Sequence, residues 1–481
     1  MRINYLNVIL ILIVIAFQGC YGIRPSSGGG EAETLSRQIN PLDIALPKGY
    51  SIEALSSGLT FPTGITFDEQ GQIYLVESGY SYGEAWSEPR LLKIDPSGKT
   101  SVIATGEKNG PWNGVTFKDG NFYIAEGGAL NGGKILKVSK EGKISALIEN
   151  LPSKGDHHTN GPIVWNGYVY FGLGTATNSG VVGEDNASFG WLERNPDFHD
   201  IPCEDVVLSG RNYESNNVLT ENPDDKATTG AFVSFNTKTE EGQVVKGTVP
   251  CSGSVLRIST NGGSPELVAW GFRNPFGLAV YEGKLFVTDN GFDDRGSRPV
   301  WGTGDILWEV KENQWYGWPD YSGHHALNEE VFKVPGKGAA ELLLKEKPNE
   351  PPHPIAELGV HSSSNGMDFS ISDEFGYKGN VFIAQLGDMA PNVGKVMGPV
   401  GFKVVMVDVE RGVIRDFAVN KGKKNGPASK LEKGGLERPV GLKFSPDGKS
   451  LYVVDFGIIE ISDGKTISHK ETGMLWKITK Q

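Results

Sequence analysis

Short runs of alternating apolar and polar residues recur along this chain, and one pattern returns six times. The copies are FPTGITFDEQGQIYLVE (61–77), PWNGVTFKDGNFYIAE (111–126), TNGPIVWNGYVYFGLG (159–174), NPFGLAVYEGKLFVTD (274–289), SSNGMDFSISDEFGYKGNVFIAQ (363–385) and RPVGLKFSPDGKSLYVVD (438–455). Each carries Gly near its start, alternates with period two, turns, and alternates again with Tyr or Phe early in the second run. Period-two alternation marks a half-buried strand, and two such runs around a short turn mark a hairpin. Further strand patterns follow most copies, among them KILKVSKEGKISALIE (134–149), SVLRISTNGGSPELVA (254–269) and FKVVMVDVERGVIRDFA (402–418). About four short strands per repeat, six times over, predict an all-β fold: a six-bladed β-propeller. A stacked β-solenoid is the alternative, and the uneven spacing of the copies disfavours it.

The two ends of the pattern complement each other. GMLWKITK (473–480) closes the chain as a strand with no partner after it, and YSIEALSSG (50–58) opens as a strand with no hairpin before it. The N-terminal strand is therefore expected to complete the last blade, residues 51–55 beside 475–478, which removes the exposed edges. The propeller then spans residues 46–481, with insertions at 175–253 and 320–360. Excursions of that length in a compact fold serve as site lids, partner surfaces or decoration.

Composition adds an address. With 481 residues, Gly at 65 and a net charge of −12, the chain is a large turn-rich protein ill-suited to a nucleic-acid backbone. Residues 1–20 read as a lipoprotein signal: Arg2, an apolar run too short to span a bilayer well, then Phe17-Gln18-Gly19-Cys20, which resembles a lipobox. Cys20 is the expected lipid attachment point, residues 21–45 a flexible tether, and the periplasm or cell surface the expected location. An ordinary signal peptide or an uncleaved anchor is the other reading. Cys203 and Cys251 remain as a pair, both in the first insertion, and a disulfide between them suits an oxidising compartment.

In a propeller the start of each inner strand faces the central funnel. The residues there include His158, Arg273, Asn274, His361 and Arg438, polar groups that the repeat converges on one point. The ends of the second strands add Glu77, Glu126, Asp289, Asn290, Gln385 and Asp455. The acidic turn TDNGFDDRG after the fourth copy suits a hard cation such as calcium, although its spacing is not that of an EF-hand.

These motifs together resemble the soluble glucose/sorbosone dehydrogenases, six-bladed propellers that use pyrroloquinoline quinone (PQQ) and calcium. The similarity runs from about Leu46 to Lys480 and rests on HTNGPI, GFRNPFGLAV, TDNGFDD with GDILWEV and WYGWP, HSSSNGMDF and RPVGLKFSPDG. The resemblance implies His158 as general base, with His157 as the alternative, and Arg273 as the stabiliser of the quinone oxygen. It implies Asn274, Asn290, His361 and Arg438 as cofactor contacts, and the carbonyls of Gly291 and Phe292 with Asp305 as the calcium site. Two departures stand out. Gln385-Leu386-Gly387-Asp388 replaces a cofactor-binding Lys segment of the glucose branch, and the sixth copy offers one Arg where that branch has two. The implied activity is PQQ- and calcium-dependent oxidation of a sugar or related alcohol. Without a Cys-x-x-Cys-His segment, electrons would pass to a separate acceptor. A calcium-dependent lactonase with Glu77, Glu126, Asp289 and Asp455 as a carboxylate cage is the rival enzyme, and a non-catalytic sugar-binding propeller the rival from another class.

Overall fold

The computed structural model describes residues 27–31, 35–82, 84–187, 190–333, 338–389, 398–462 and 465–481. Cys20 and the signal segment lie outside them. Six antiparallel sheets make six blades, whose inner strands are Pro62–Phe67, Trp112–Lys118, Thr159–Trp165, Pro275–Tyr281, Ser364–Phe369 and Pro439–Phe444. Each inner strand pairs with the second strand predicted for its copy. In the last blade the outermost strand is Tyr50–Leu59, antiparallel to Gly473–Lys480 with Ile52 opposite Ile478 and Ala54 opposite Trp476. The ring thus closes through a strand that precedes all six inner strands in the chain.

The recurrent Gly has a steric cause. A Cβ on Gly114 would lie 1.7 Å from the carbonyl oxygen of Gly161 in the next blade, and one on Gly277 would lie 2.2 Å from that of Asn365. Neighbouring inner strands approach so closely around the axis that no side chain fits between them. Outside that ring, apolar side chains from facing sheets interdigitate in one cluster per blade interface. Tyr74, Val76 and Leu91 of the first blade meet Trp112, Phe122 and Ile124 of the second, for example. Phe61, Leu75 and Leu92 meet Val440, Val454 and Leu475 across the closure.

The insertions are integral to this core. Val181, Val206, Phe232, Trp318, Phe332 and Leu343 join the cluster between the second and third blades. The second insertion ends earlier than the sequence pattern suggests: Ala356–Val360 is the outer strand of the fourth blade, so the excursion lies inside that blade. The tether is also shorter than expected. Ile44–Ala45 adds a fifth strand to the fifth blade, and Arg37 donates to a buried Asp455 oxygen at 2.5 Å. Residues Ser27–Glu31 pair in parallel with Lys465–Ser468. Among the described residues no helix is long and apolar enough to cross a membrane.

Cys203 and Cys251 form a disulfide across a sequence separation of 48, with Cα atoms 5.1 Å apart. Cys251 is fully buried, so the bond pins the insertion where it enters the core. Replacing both by Ser is expected to cost about 2–5 kcal/mol in denaturant unfolding. An unchanged midpoint would mean that packing alone holds the insertion.

Candidate active site

One chamber of about 150 Å³ opens at the blade entrances. Arg273, Asn274, Asn290, Gly291, Asp305 and His361 border it, as do His157 with its neighbour Asp156 and two residues without a sequence signal, Asp185 and Arg295. Beneath it, and sharing Tyr82, His157, Asn274 and Asn290, lies a compartment of about 70 Å³ at the channel floor. His158 borders only this lower compartment. Its girdle is the residue before each entrance Gly: Thr63, Asn113, Asn160, Phe276, Asn365 and Val440.

The chamber is an ionic network in which carboxylates outnumber cations. Arg273 grips the Asn178 side chain, with Nη2 donating to its Oδ1 at 2.9 Å, and also donates to Asp293 Oδ2 at 3.1 Å. Arg295 donates to Asp185 Oδ2 at 2.7 Å and Asp293 Oδ2 at 3.0 Å, and it pairs with Asp156. His361 Nδ1 lies 3.4 Å from Asp293 Oδ1, and its backbone takes the left-handed region at φ 56°. Non-glycine residues held there cluster at functional sites. Two arginines thus pair with three aspartates, Asp156, Asp185 and Asp293, and Asp305 is a fourth at the same border. Burial pushes Asp156 up, but Arg295, His157 and Arg273 together hold it below the usual carboxylate range.

The histidines differ in their setting. His157 Nδ1 lies 3.0 Å from the Thr175 carbonyl oxygen, so it carries the hydrogen and leaves Nε2 as an acceptor, 3.6 Å from Asp156. Burial, then the charge of Arg273, pulls its pKa down to about 3. His158 Nδ1 faces the Ser153 carbonyl at 3.4 Å, and burial pulls its pKa down to about 4. Both are neutral at pH 7.

Asn274 is held by an amide relay that crosses blades. Asn113 donates to Asn160 at 2.9 Å, Asn160 to Asn274 at 2.8 Å, Asn274 to Asn290 at 2.8 Å, and Asn290 to the Ser364 carbonyl at 2.9 Å. Asp305 is fully engaged: it accepts from Gly291 N at 3.0 Å, Ser362 Oγ at 2.7 Å and Ser364 N at 2.6 Å. It shapes the Gly291 loop through hydrogen bonds. Phe292 borders a smaller adjacent void, and its carbonyl accepts from Thr303 at 3.1 Å. Among the described residues no group of three or more His, Cys, Asp or Glu side chains is arranged to hold a metal ion. Arg438 does not reach the chamber: it is 3 % exposed, stands over the Phe402 ring, and points at the carbonyls of Leu386 and Gly387.

The carboxylate cage that a lactonase reading requires is absent from both compartments. Glu77 accepts from Thr60 N at 2.7 Å, Glu126 from Asn109 at 2.7 Å, Asp289 from Asn274 N at 2.7 Å and Asp455 from Arg438 N at 2.8 Å. These buried acids pin each entrance loop to the second strand of its blade. None of the four borders the chamber or the floor.

Solved structures of the same architecture give the fold a context. The chain shares its six-bladed fold with the soluble sugar dehydrogenases. The holo PQQ domain of pyranose dehydrogenase from Coprinopsis cinerea is 14% identical, with a TM-score of 0.53 over 94% of this chain and 99% of that one. The soluble aldose sugar dehydrogenase of Escherichia coli is 14% identical, with a TM-score of 0.52 over 90% and 100%. A calcium structure of a family AA12 carbohydrate-active enzyme from Trichoderma reesei is 14% identical, with a TM-score of 0.54 over 94% and 100%. No protein-family model matches the chain, and no curated protein sequence does.

Proposed function

We propose that this propeller oxidises a sugar at a hydroxyl or hemiacetal carbon, using PQQ and calcium, and passes the electrons to a separate acceptor. The carrying observation is the chamber itself, where Arg273, Arg295, Asn274 and two histidines converge on the axis. The quinone end of PQQ fits this donor set: Arg273 and the relayed amides Asn274 and Asn290 would hold its oxygens. The Gly291 and Phe292 carbonyls are the oxygen ligands available for calcium, and each keeps a second lone pair. The tricarboxylate end fits only with help, because Arg438 is turned away and three aspartates already draw on the two arginines. A cation held by the Gly291 and Phe292 carbonyls would offset that charge.

Bound PQQ supplies the two-electron acceptor. The rest is done by the chain. His157 Nε2 takes the substrate hydroxyl proton, since its Nδ1–H is fixed on Thr175 and its other nitrogen is free to accept. Asp156, held ionised by Arg295, stabilises the imidazolium as it forms. Arg273 stabilises negative charge growing beside it. His158, the base that the resemblance implies, lies one compartment lower and is the second candidate.

The test is thermal. PQQ is expected to raise the melting temperature only when calcium is also present, and the loaded protein should reduce a dye with a neutral aldose. No shift with both added, and no dye reduction across a sugar panel, would overturn the reading. We place the protein at the periplasmic or outer surface, anchored through lipid on Cys20. The Cys203–Cys251 disulfide supports an oxidising compartment.

A further inference from the structure

The channel-floor compartment has a chemistry of its own. Asn365 is 4 % exposed, and its Oδ1 has no hydrogen-bond partner among the described residues. Its backbone is fixed, because its carbonyl accepts from Thr288 Oγ1 at 2.7 Å and packs against Gly277. A buried acceptor left unpaired is costly, and native structures pair such atoms with protein, solvent or ligand. The neighbouring amides are already committed: Asn113 to Asn160, and Asn160 to Asn274. His158, with Nδ1 turned to Ser153, presents a second acceptor, Nε2, in the same compartment. The Tyr80 hydroxyl, buried and likewise without a hydrogen-bond partner among the described residues, lines the same compartment, so the floor offers unpaired acceptors and a donor together.

Its other walls mix apolar Phe276, Val440 and Phe456 with hydroxyl-bearing Ser78, Tyr80 and Tyr82. Among the described residues no Lys or Arg borders it, and the one carboxylate there is Asp156. Acceptors and aromatic faces together suit a molecule that carries hydroxyl groups on a C–H framework. The missing cations argue against a phosphate or carboxylate on that molecule.

We propose that the channel floor is a binding subsite for an uncharged polyhydroxy compound, the ring or hydroxymethyl end of a neutral sugar, with Asn365 Oδ1 as the acceptor that selects it. This rests on the sugar-oxidising reading and narrows it: sugar phosphates and uronic acids are excluded.

The experiment uses the full chain loaded with PQQ and calcium, with glucose, glucuronate and glucose 6-phosphate as probes. Dye reduction gives KM and kcat, and the sugar-induced change in melting temperature gives a readout independent of turnover. Glucose should bind and the two anions should not. Asn365→Leu is expected to raise KM at least about tenfold with kcat within about threefold, and to abolish the glucose-induced shift. Asn365→Ser, which keeps an acceptor oxygen, should recover part of both and guards against a variant that fails to fold. An unchanged KM and an unchanged shift in either variant overturn the proposal, and so does preference for an anionic probe. If wild type shows the glucose shift without any dye reduction, the oxidation reading fails while the subsite stands.

Discussion

His157→Gln is expected to lower kcat by about a hundredfold to ten-thousandfold, the usual range for losing a positioned base. The same variant should keep the PQQ- and calcium-dependent thermal shift, because His157 contributes an acceptor nitrogen and no charge at neutral pH. His158→Gln should change kcat less than tenfold or so, since that ring sits in the lower compartment and its Nδ1 faces a carbonyl. The reverse ranking would transfer the base to His158. The pH profile gives an independent check. Both histidines have pKa values lowered by burial, to about 3 and about 4, so the neutral, proton-accepting forms persist well below pH 6.5. The acid limb of kcat/KM should therefore fall near pH 4 or lower. A limb at pH 6.5 would mean that the base is solvated, against the geometry described.

The largest stability effect is expected at Arg298, which is 1 % exposed and ties the two insertions together. All its N–H groups are used. It donates to Ser179 O at 2.9 Å in the first insertion, and to Pro319 O at 2.8 Å, Asp320 Oδ1 at 2.8 Å and Glu341 O at 2.7 Å in or beside the second. Asp320 in turn accepts from the amides of Leu343 and Leu344 at 2.9 and 2.8 Å. Arg298→Met strands Asp320 and three carbonyls in a core. It should cost about 3–5 kcal/mol, the range for breaking a buried pair by removing one partner. In a chain of this length that is a fall of roughly 3–5 °C in melting temperature. Arg298→Met with Asp320→Leu should recover part of the loss, because no buried charge is then left alone. Full stability in the single variant would mean that the insertions are held by apolar packing. Activity should fall with stability, since the first insertion delivers Asn178 and Asp185 to Arg273 and Arg295.

The blade architecture was legible because each copy states it in two independent ways, alternation and an entrance Gly. The Gly is there because adjacent inner strands nearly touch, and that constraint repeats wherever the blades do. Arg273, Asn274, Asn290 and His361 could be placed for the same reason: a fixed offset from the repeat carries each to the axis. Asp185 and Arg295 escaped because they stand on an insertion and a loop that obey no repeat. Arg438 has the right offset, yet its guanidinium turns under Phe402 toward backbone carbonyls, which position along the chain does not encode. The four acids at the second-strand ends were visible as residues but not as roles. Glu77, Asp289 and Asp455 accept from backbone amides, which every residue but proline carries and which leave no mark in a sequence, and Glu126 accepts from the side chains of Asn109 and Trp112.

The velcro between Tyr50–Leu59 and Gly473–Lys480 sets a condition on how the molecule comes into being. Ser51 and Thr479, whose hydroxyls are hydrogen-bonded, are 428 residues apart along the chain. During synthesis from the N-terminus, Tyr50–Leu59 emerges before all six inner strands and has no strand to join until Gly473–Lys480 appears. Until then the blades form an open fan with a sticky rim at each end, the kind of surface that recruits other chains. The contact that makes the ring single is thus the last to become available. Vectorial folding here can build blades one by one, but it cannot close the ring before Gly473–Lys480 is free.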